Sequence, residues 1–202
     1  MLEVITGCMY SGKSEELIRR LRRSQIAGQY VLVMKPSIDD RYSRDSVATH
    51  VGETLAAQPV SGIDEVRVLL HERPFRMHGE VLGFDEVQFM DSEIVGLFEQ
   101  QANMGRRVIV AGLDLDSDGK PFGPMAELLA VADRVTKLTA VCVARHYDRG
   151  AIPSARGQGE VCGKPATRSF RLPSQNSGEK VQVGSAGMYE ARCRVCWSRY
   201  TK

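Results

Sequence analysis

One eight-residue segment near the start of the chain restricts the fold that the chain can adopt. Residues 7–14, Gly-Cys-Met-Tyr-Ser-Gly-Lys-Ser, match the pattern G-x-x-x-x-G-K-[ST] at every fixed position. The apolar run Leu2–Ile5 precedes this segment and the amphipathic stretch Lys13–Ala27 follows it, which predicts a strand, a glycine-rich turn and a helix. Backbone N–H groups of such a turn, together with the helix N-terminus, surround a phosphate group. The sequence therefore predicts a phosphate-binding loop, with a glycine-rich helix cap that binds nothing as the alternative.

The predicted loop assigns a role to several of its side chains. Gly7 and Gly12 allow the backbone to curl around phosphate oxygens, because glycine tolerates conformations that other residues avoid. Lys13 is expected to neutralise the β- and γ-phosphates, and the Ser14 hydroxyl to ligate Mg²⁺. Cys8 is interpreted as a small residue that fits the loop. The whole segment predicted to bind nucleotide is Gly7, Cys8, Met9, Tyr10, Ser11, Gly12, Lys13 and Ser14.

Short apolar runs alternate with amphipathic stretches along the first two thirds of the chain. The pattern predicts strands at Leu2–Ile5, Tyr30–Met34, Val81–Phe84, Arg107–Leu113 and Val135–Ala140. It predicts helices at Lys13–Ala27, Ile63–His71, Asp91–Ala102 and Pro124–Ala132. This alternation is typical of an α/β fold with a doubly wound parallel sheet. Two polar stretches interrupt the pattern, and we interpret Pro36–Gly62 as a functional loop and Asp114–Gly123 as a lid.

The composition of the chain changes near residue 138. Residues 1–138 contain 16 Lys/Arg and 21 Asp/Glu, whereas residues 139–202 contain 11 Lys/Arg, 4 Asp/Glu and four of the five cysteines. We therefore expect a nucleotide-binding α/β domain over 1–138 and a small basic lobe over 139–202. The basic lobe lacks the interleaved aromatic residues that stack on nucleic-acid bases, which makes nucleic acid an unlikely partner.

The composition also bears on the location of the protein. The 43% hydrophobic and 26% charged residues are ordinary globular values, which argue against disorder. Apolar runs are shorter than the roughly 18 residues that a membrane helix needs, and the N-terminus lacks the pattern of a signal peptide. We expect a cytoplasmic location without a membrane partner, where cysteines serve as metal ligands or free thiols rather than disulfides.

Two acidic residues directly follow the predicted strand Val81–Phe84. The carboxyl ends of the strands form the ligand crevice of a doubly wound sheet, so Asp85 is expected to lie in this crevice. Glu86 follows directly and is expected to point elsewhere, as a second carboxylate beside the γ-phosphate. Asp85 is predicted to hold Mg²⁺ through water, and Glu86 to act as a base toward a hydroxyl or water. The alternative interpretation of Glu86 is a solvated loop acid.

The four cysteines of the lobe predict a structural metal site. Cys193 and Cys196 form a C-x-x-C pair, and Cys142 and Cys162 are separated by 19 residues. Four thiolates in a reducing compartment are typical of a closed tetrahedral zinc site, which would stabilise a lobe that is poor in apolar residues. His146 is an alternative ligand to Cys162, and four buried free thiols are the alternative to a metal site.

Motifs along almost the whole chain carry a resemblance to a known family. They are Met9–Ser14, Lys35-Pro36, Asp40–Ser43, Thr49-His50, Asp85–Phe89, Gly112–Asp114, Lys120–Gly123, Lys137–Cys142, Cys162–Ala166 and Cys193–Cys196. In their order and spacing they resemble the zinc-containing thymidine kinases found in bacteria and animal cytosol. The resemblance implies a P-loop, RecA-like α/β domain with a small C-terminal zinc-binding lobe that closes over the nucleoside. It implies transfer of the γ-phosphoryl group of ATP to the 5′-hydroxyl of thymidine or deoxyuridine.

The resemblance also implies roles for individual residues. Glu86 corresponds to the general base, Asp85 and Ser14 to positions that organise Mg²⁺, and Arg41 to an arginine near the reacting phosphates. The nucleotide-binding segment extends through Val87 and Gln88. The residues that correspond to nucleoside contacts are Phe89, Leu113, Phe122, Ser169, Val183, Gly184 and Tyr189. Further implications are a homotetramer and feedback inhibition by thymidine triphosphate.

The chain departs from the family pattern in two places. About 17 extra residues, Ala144–Glu160, separate the first two cysteines, and we expect them to project as a surface loop. In the predicted lid, Ser117, Asp118 and Gly119 replace phenylalanine and polar or basic residues of relatives.

Two other functional hypotheses remain at this stage. One is a nucleic-acid-binding P-loop ATPase with a zinc ribbon, and the other is a zinc-held scaffold that senses nucleotide without turnover. Four arginines of the first predicted helix, Arg19, Arg20, Arg22 and Arg23, are interpreted as a solvated helix face, with nucleic-acid contact as the alternative.

Overall fold

A six-stranded parallel sheet forms the centre of the protein. The computed structural model describes residues 1–38, 46–48, 54–71, 79–146, 160–172 and 187–199. The strands up to residue 138 are β1 (Leu2–Thr6), β2 (Tyr30–Pro36), β3 (Ser46–Ala48), β4 (Thr54–Ala56), β5 (Gln58–Val60), β6 (Glu80–Phe84), β7 (Arg107–Gly112) and β8 (Arg134–Lys137). The central sheet has the order β5-β2-β6-β7-β1-β8, and all its neighbouring strands are parallel.

Helices cover both faces of this sheet. They are α1 (Lys13–Ile26), α2 (Ile63–His71), α3 (Glu93–Asn103) and α4 (Met125–Val131), with a short 3-10 turn at Val87–Phe89. Alternate residues of a strand point to opposite faces, and β7 shows the consequence. Ile109 packs with α1 on one face, whereas Val108 and Val110 pack with α2, α3 and α4 on the other. These observations confirm the predicted doubly wound α/β fold.

The prediction that Pro36–Gly62 is a loop was wrong for part of that stretch. β2 continues to Pro36, β3 and β4 form an antiparallel hairpin, and β5 pairs in parallel with β2 at the edge of the sheet. The three-residue strand β5 contains Pro59 and has no alternating pattern, so the sequence gives no strand signal there. An edge position tolerates proline because one side of the strand needs no backbone donor.

The last predicted strand, Val135–Ala140, is also shorter in the structure. β8 ends at Lys137, and the chain leaves the sheet at Leu138. The remaining strands are short and antiparallel: β9 (Ala140–Val141) with β12 (Pro165–Ala166), β10 (Arg145–His146) with β11 (Glu160–Val161), and β13 (Arg168–Arg171) with β14 (Tyr189–Arg192). Helix α5 (Arg194–Ser198) follows. Across the described ranges, no helix combines the length and apolar character needed to cross a membrane.

Close packing of α1 against the sheet depends on a glycine in β6. A Cβ atom built on Gly83 would lie 2.6 Å from Cδ1 and 3.0 Å from Cδ2 of Leu21, which is fully buried. The absence of a side chain in the middle of β6 therefore lets α1 approach the strand closely.

We predict that Gly83→Ala destabilises the protein by about 1–3 kcal/mol, the usual cost of overpacking a well-packed core. The free energy of unfolding, measured by urea denaturation, tests this expectation. Gly96→Ala is the matched control, because Gly96 lies in α3 with nothing within 4 Å of an added Cβ. It should stabilise the helix by up to about 1 kcal/mol. Equal free energies of unfolding for Gly83→Ala and the parent chain would show that the packing of α1 against β6 does not require a glycine at position 83.

Candidate active site

The loop between β1 and α1 has the backbone geometry of a phosphate cradle. Gly7, Tyr10 and Gly12 have φ values of 147°, 64° and 82°, and Tyr10 is one of only two non-glycine residues with positive φ in the described part of the chain. A Cβ on Gly7 would lie 2.4 Å from the carbonyl oxygen of Leu138. A side chain at position 7 is therefore excluded both by φ and by the neighbouring backbone.

Two polar side chains of the loop are buried in a way that fits an anion. The Lys13 ammonium group is buried and donates a hydrogen bond of 2.9 Å to the carbonyl oxygen of Cys8, inside the loop. The hydroxyl oxygen of Ser11 is buried without a hydrogen-bond partner in the described residues. An unsatisfied buried hydroxyl costs free energy, and a phosphate oxygen is a partner that would satisfy it. The loop thus fits a phosphate group.

The end of β6 meets the start of α1 at one hydrogen bond. The Ser14 hydroxyl donates to Oδ2 of Asp85 at 2.9 Å, and the Asp85 side chain is buried. Hydroxyl and carboxylate oxygens are the ligands that Mg²⁺ takes beside nucleotide phosphates. The structure therefore brings together the two residues that the sequence predicted to organise this metal.

Glu86 has a left-handed backbone conformation that is held by hydrogen bonds. It is the second non-glycine residue with positive φ in the described residues, at 52°, and its N–H group donates to Oδ1 of Asp85 at 3.1 Å. The Gln88 amide donates to Oε2 of Glu86 at 2.5 Å, and its oxygen accepts from the Leu113 N–H group at 3.0 Å. Left-handed backbone at a non-glycine residue persists where the surroundings enforce it, often at functional sites. Gln88 thus ties Glu86 to the end of β7.

An aromatic pair lies next to Gln88. The rings of Phe89 and Phe122 meet edge to face, with centroids 5.5 Å apart and an interplanar angle of 84°. Gly123 comes so close to Gln88 that an added Cβ would lie 2.1 Å from the Gln88 carbonyl oxygen. The chain around Phe122 is thereby held against the 3-10 turn that carries Phe89. Leu113, Phe89 and Phe122, which the sequence predicted to contact the nucleoside, are therefore neighbours.

The C-terminal lobe contacts the phosphate loop directly. The Met9 N–H group donates to the Ser169 hydroxyl at 3.0 Å, and the Tyr10 hydroxyl donates to the Tyr189 carbonyl at 3.3 Å. The Cys8 thiol donates to the Ala166 carbonyl at 3.3 Å, and burial raises the pKa of this thiol, so it stays protonated. Ser169 and Tyr189 are thereby placed beside the loop that binds phosphate.

Arg168 is a buried cation that sequence analysis did not single out. Its guanidinium group donates to the Thr167 carbonyl at 2.8 Å. Burial and the nearby charge of Arg194 lower the pKa of Arg168, whereas the charge of Asp114 opposes this shift. The only feature of the sequence that could have pointed to Arg168 is its position next to Ser169, a predicted site residue. The sequence pattern does not reveal that the Arg168 side chain is buried.

The predicted lid, residues 114–123, is a folded turn. Leu115 bridges to Pro121, and the Asp116 carboxylate accepts hydrogen bonds from the N–H groups of Asp118 and Lys120. At its base, Asp114 forms an ion pair of 2.7 Å with Lys137 at the end of β8. The lid is thus ordered by its own acidic side chains.

Trp197 connects the lid to the end of the chain, a contact that the sequence did not predict. The indole N–H group donates to the carbonyl oxygen of Ser117 at 3.2 Å. A Cβ atom built on Gly119 would lie 2.8 Å from the ring carbon Cη2 of Trp197. Gly119 has a φ of 78°, a backbone conformation that favours glycine. Two of the three positions where the lid departs from the family pattern, Ser117 and Gly119, therefore contact this ring.

We predict that Gly119→Ala displaces the ring of Trp197 from the lid, because the added methyl group occupies space that the ring fills. Trp197 is the single tryptophan of the chain. Its fluorescence should shift to longer wavelength and become more accessible to a soluble quencher.

Gly105→Ala is the matched control for this prediction. Gly105 has a similar φ of 91°, but nothing lies within 4 Å of an added Cβ. The control carries a comparable backbone strain of about 1–2 kcal/mol without touching the ring. Identical emission spectra for both variants would contradict the contact.

Four cysteine sulfurs cluster in the C-terminal lobe. The Sγ atoms of Cys142, Cys162, Cys193 and Cys196 all lie within 4.8 Å of one another, and those of Cys162 and Cys193 are 4.0 Å apart. Tetrahedral zinc with Zn–S bonds of about 2.3 Å places sulfurs about 3.8 Å apart. The donor set and spacing therefore fit zinc.

Backbone hydrogen bonds shape both halves of this cluster. The Cys196 N–H group donates to Sγ of Cys193, and the Gly163 N–H group donates to the Cys142 carbonyl. Burial alone raises the pKa of Cys193, but hydrogen bonds from the Cys196 amide and the other thiols hold it at about 7. Burial and the neighbouring sulfurs raise the pKa of Cys196. One thiol is thus prepared to ionise, and metal binding would displace the remaining protons.

The long insertion leaves the cysteine cluster intact. Arg145 and His146 pair with Val161 and Glu160, so the two ends of the insertion form an antiparallel ladder next to Cys162. Residues 147–159 are outside the described ranges. The ladder explains how Cys142 and Cys162 meet despite their separation in sequence.

Three predicted site residues, Arg41, Val183 and Gly184, lie outside the described residues. The structure places the remaining predicted site residues around the carboxyl ends of β1, β6 and β7, except for the cysteine ligands in the lobe.

Comparison with known proteins adds two findings. A family model described as "Thymidine kinase" matches residues 1–197. A solved chain titled "ATPase" shares 13% identity with a TM-score of 0.41, covering 95% of this chain and 79% of that chain.

Proposed function

The chain belongs to the thymidine kinase family, and from this membership we propose that it transfers the γ-phosphoryl group of ATP to the 5′-hydroxyl of thymidine or deoxyuridine, with Glu86 as the general base. Thymidine kinase function itself follows from a family match over residues 1–197. The observation that carries the finer proposal is the position of Glu86, next to Asp85 on one side and tied through Gln88 to the Leu113 region on the other.

The phosphate donor is proposed to bind at residues 7–14. The N–H groups of the loop and the ammonium group of Lys13 would hold phosphate oxygens, with Lys13 exchanging its hydrogen bond to Cys8 for one to the γ-phosphate. Ser14 and Asp85 would hold Mg²⁺, which neutralises charge that develops on the phosphates. Arg41 is proposed to contact the same phosphates, by the resemblance alone.

The nucleoside is proposed to bind between the aromatic pair and the lobe. Phe89, Phe122 and Leu113 would contact the base from one side, and Ser169 and Tyr189 from the other. Val183 and Gly184 are proposed to add backbone contacts. A base whose donors and acceptors do not match would leave buried polar groups unpaired, which is a strong basis for selectivity.

Glu86 is proposed to accept the proton of the 5′-hydroxyl as that oxygen attacks the γ-phosphorus. Its side chain is buried, and the Gln88 amide donates to Oε2 of the carboxylate, which fixes the orientation of the group beside Asp85. Most of the rate acceleration in such reactions comes from positioning and charge neutralisation, with the base adding about 10²–10⁴-fold. The P-loop ATPase acting on nucleic acid is not favoured, because the family match points to a nucleoside acceptor.

Other parts of the proposal rest on the family resemblance. They are one structural zinc ion at Cys142, Cys162, Cys193 and Cys196, a homotetramer, feedback inhibition by thymidine triphosphate and a cytoplasmic location. The domains are proposed to divide at residue 138, with the lobe of 139–202 closing over the nucleoside.

Glu86→Gln tests the proposed reaction, because it keeps the size and hydrogen-bonding capacity of the side chain but removes the base. With labelled ATP, Mg²⁺ and thymidine, the parent chain should form labelled thymidine monophosphate. The variant should lose about 10²–10⁴-fold in kcat and bind ATP as the parent does.

Two further measurements make this test specific. Glu93→Gln is the matched control, because Glu93 is a surface carboxylate paired with Arg67, and its turnover should equal that of the parent. Addition of duplex DNA should change neither rate. Near-parental kcat in Glu86→Gln would refute the base, whereas ATP hydrolysis stimulated by DNA without transfer to thymidine would refute the kinase.

Cys142→Ser is expected to abolish the proposed zinc site. Metal analysis of the purified chain should find one zinc ion per parent chain and far less in the variant, because a hydroxyl is a poor substitute for a thiolate ligand. The variant should also unfold at lower temperature, since metal binding contributes to folding.

Cys8→Ser is the matched control, since Cys8 is the one cysteine outside the metal-binding set. It should retain a full complement of zinc. A parent chain without metal, or equal loss of zinc in both variants, would contradict the proposed centre.

A further inference from the structure

A cavity lined by arginines lies at the opposite end of the sheet from the phosphate loop. Its volume is about 300 Å³, and it is lined by Glu3, Arg19, Arg20, Arg23, Arg107 and Arg134. These residues belong to the N-terminal ends of β1, β7 and β8 and to the second half of α1. Because a strand rises about 3.3 Å per residue, Gly7 is about 13 Å further along β1 than Glu3. The cavity is therefore separate from the proposed active site and uses none of its residues.

Two of the arginines have a structural role. Glu3 is fully buried, and its carboxylate oxygens accept hydrogen bonds from Arg20 at 2.6 Å and from Arg107 at 2.7 Å. Burial alone raises the pKa of Glu3, but these two guanidinium groups outweigh it and lower the pKa. Glu3 is thus ionised, and Arg20 and Arg107 compensate its buried charge.

The other three arginines are not explained by Glu3. Arg19 pairs with Glu16 at 2.6 Å on the surface of α1. Within the described ranges, the guanidinium groups of Arg23 and Arg134 form no ion pair and no hydrogen bond with another residue. Among the described residues, these five guanidinium groups pair with two carboxylates, Glu3 and Glu16, which leaves an excess of three positive charges in the lining and its ion pairs. Like charges gathered around one concave site repel one another, and a bound anion would relieve that repulsion.

We propose that this cavity binds a compact polyphosphate group, either inorganic or at the end of a nucleotide. Guanidinium groups bind phosphate oxygens in a bidentate manner and are the preferred residues for this purpose. A terminal phosphate group carries a charge of about −1.5 to −2 near neutral pH, so two or three linked phosphates match the excess. The positive charge is arranged for several phosphates rather than for one.

The lining of the cavity argues against two other ligands. It contains no aromatic or aliphatic residue, so a nucleobase would find no apolar or stacking surface there. Nucleic acids are usually bound along extended basic grooves with aromatic platforms, whereas this cavity is a single concave site. The polyphosphate group is therefore the part that the cavity recognises.

Calorimetric titration with sodium triphosphate, without Mg²⁺, tests the proposal on the chain of 202 residues. Lys13→Ala weakens the phosphate loop, so binding that remains in this variant and depends on the cavity arginines lies elsewhere. We expect one triphosphate per Lys13→Ala chain. Adding Arg23→Gln and Arg134→Gln should weaken this binding at least ten-fold. These two side chains are suitable because they are exposed and belong to no ion pair with Glu3, so their loss should not unfold the protein.

Arg22→Gln in the Lys13→Ala chain is the matched control. Arg22 lies on the same helix, but it donates to the Thr54 carbonyl and does not line the cavity. Its loss removes one positive charge, as each of the two cavity substitutions does, and should change the affinity less than two-fold. Loss of all triphosphate binding in Lys13→Ala would overturn the proposal, as would equal weakening by Arg22→Gln, because that indicates binding to general positive charge.

Two more ligands distinguish the sources of the phosphate group. ATP that binds the Lys13→Ala chain as tightly as inorganic triphosphate would show that the phosphates alone are recognised. Tighter binding of ATP would indicate a nucleotide whose base contacts residues outside the cavity. A twelve-base-pair DNA duplex that binds more tightly than either, and is lost in the Arg23 and Arg134 variant, would overturn the proposal in favour of a nucleic-acid surface.

Discussion

The close approach of Gly7 to Leu138 is the contact on which the arrangement of the active site depends. β8 runs parallel to β1, and the Leu138 N–H group donates to the Thr6 carbonyl at 2.7 Å, so the chain leaves the sheet directly beside the phosphate loop. No atom can be added at Gly7 without striking the Leu138 carbonyl. The C-terminal lobe consequently begins against the loop. Its later contacts with Cys8, Met9 and Tyr10 follow from this starting point.

The lobe is held together by means other than an extensive apolar core. Its buried cluster consists of alanines and cysteines, namely Cys8, Ala140, Cys142, Ala144, Ala166, Ala191, Cys193 and Cys196. Such small side chains bury little apolar area, so their contribution to stability is correspondingly small. A metal at the four sulfurs would supply the missing free energy. Because Cys8 belongs to this cluster, the phosphate loop forms one wall of the core that the metal would stabilise.

The sequence predicted the features that local pattern determines. The strand, loop and helix of residues 2–27 follow from periodicity and glycine placement, and the structure confirms the α/β fold. The strand β5 escaped prediction because three residues at a sheet edge leave no periodic signal. The contact of Trp197 with Ser117 joins residues 80 positions apart, and only the packed structure brings them together. The sequence predicts a solvated helix face for the arginines of α1, and Arg19 and Arg23 are exposed. It does not reveal that Arg107 of β7 and Arg134 of β8 line the same cavity, because that requires the packed sheet.

The positive charge at the far end of α1 does not serve the phosphate loop. Helix α1 begins at the loop with Lys13 and carries Arg23 ten residues later, so the two cations are about 15 Å apart along the helix axis. At physiological ionic strength the Debye length is about 8 Å, and exposed charges beyond this distance are largely screened. Nucleotide binding at the loop is supplied locally, by backbone N–H groups, Lys13 and the helix N-terminus. The excess charge of the cavity must therefore be explained by its immediate surroundings, and among the described ion pairs of its lining only Glu3 and Glu16 oppose the five arginines.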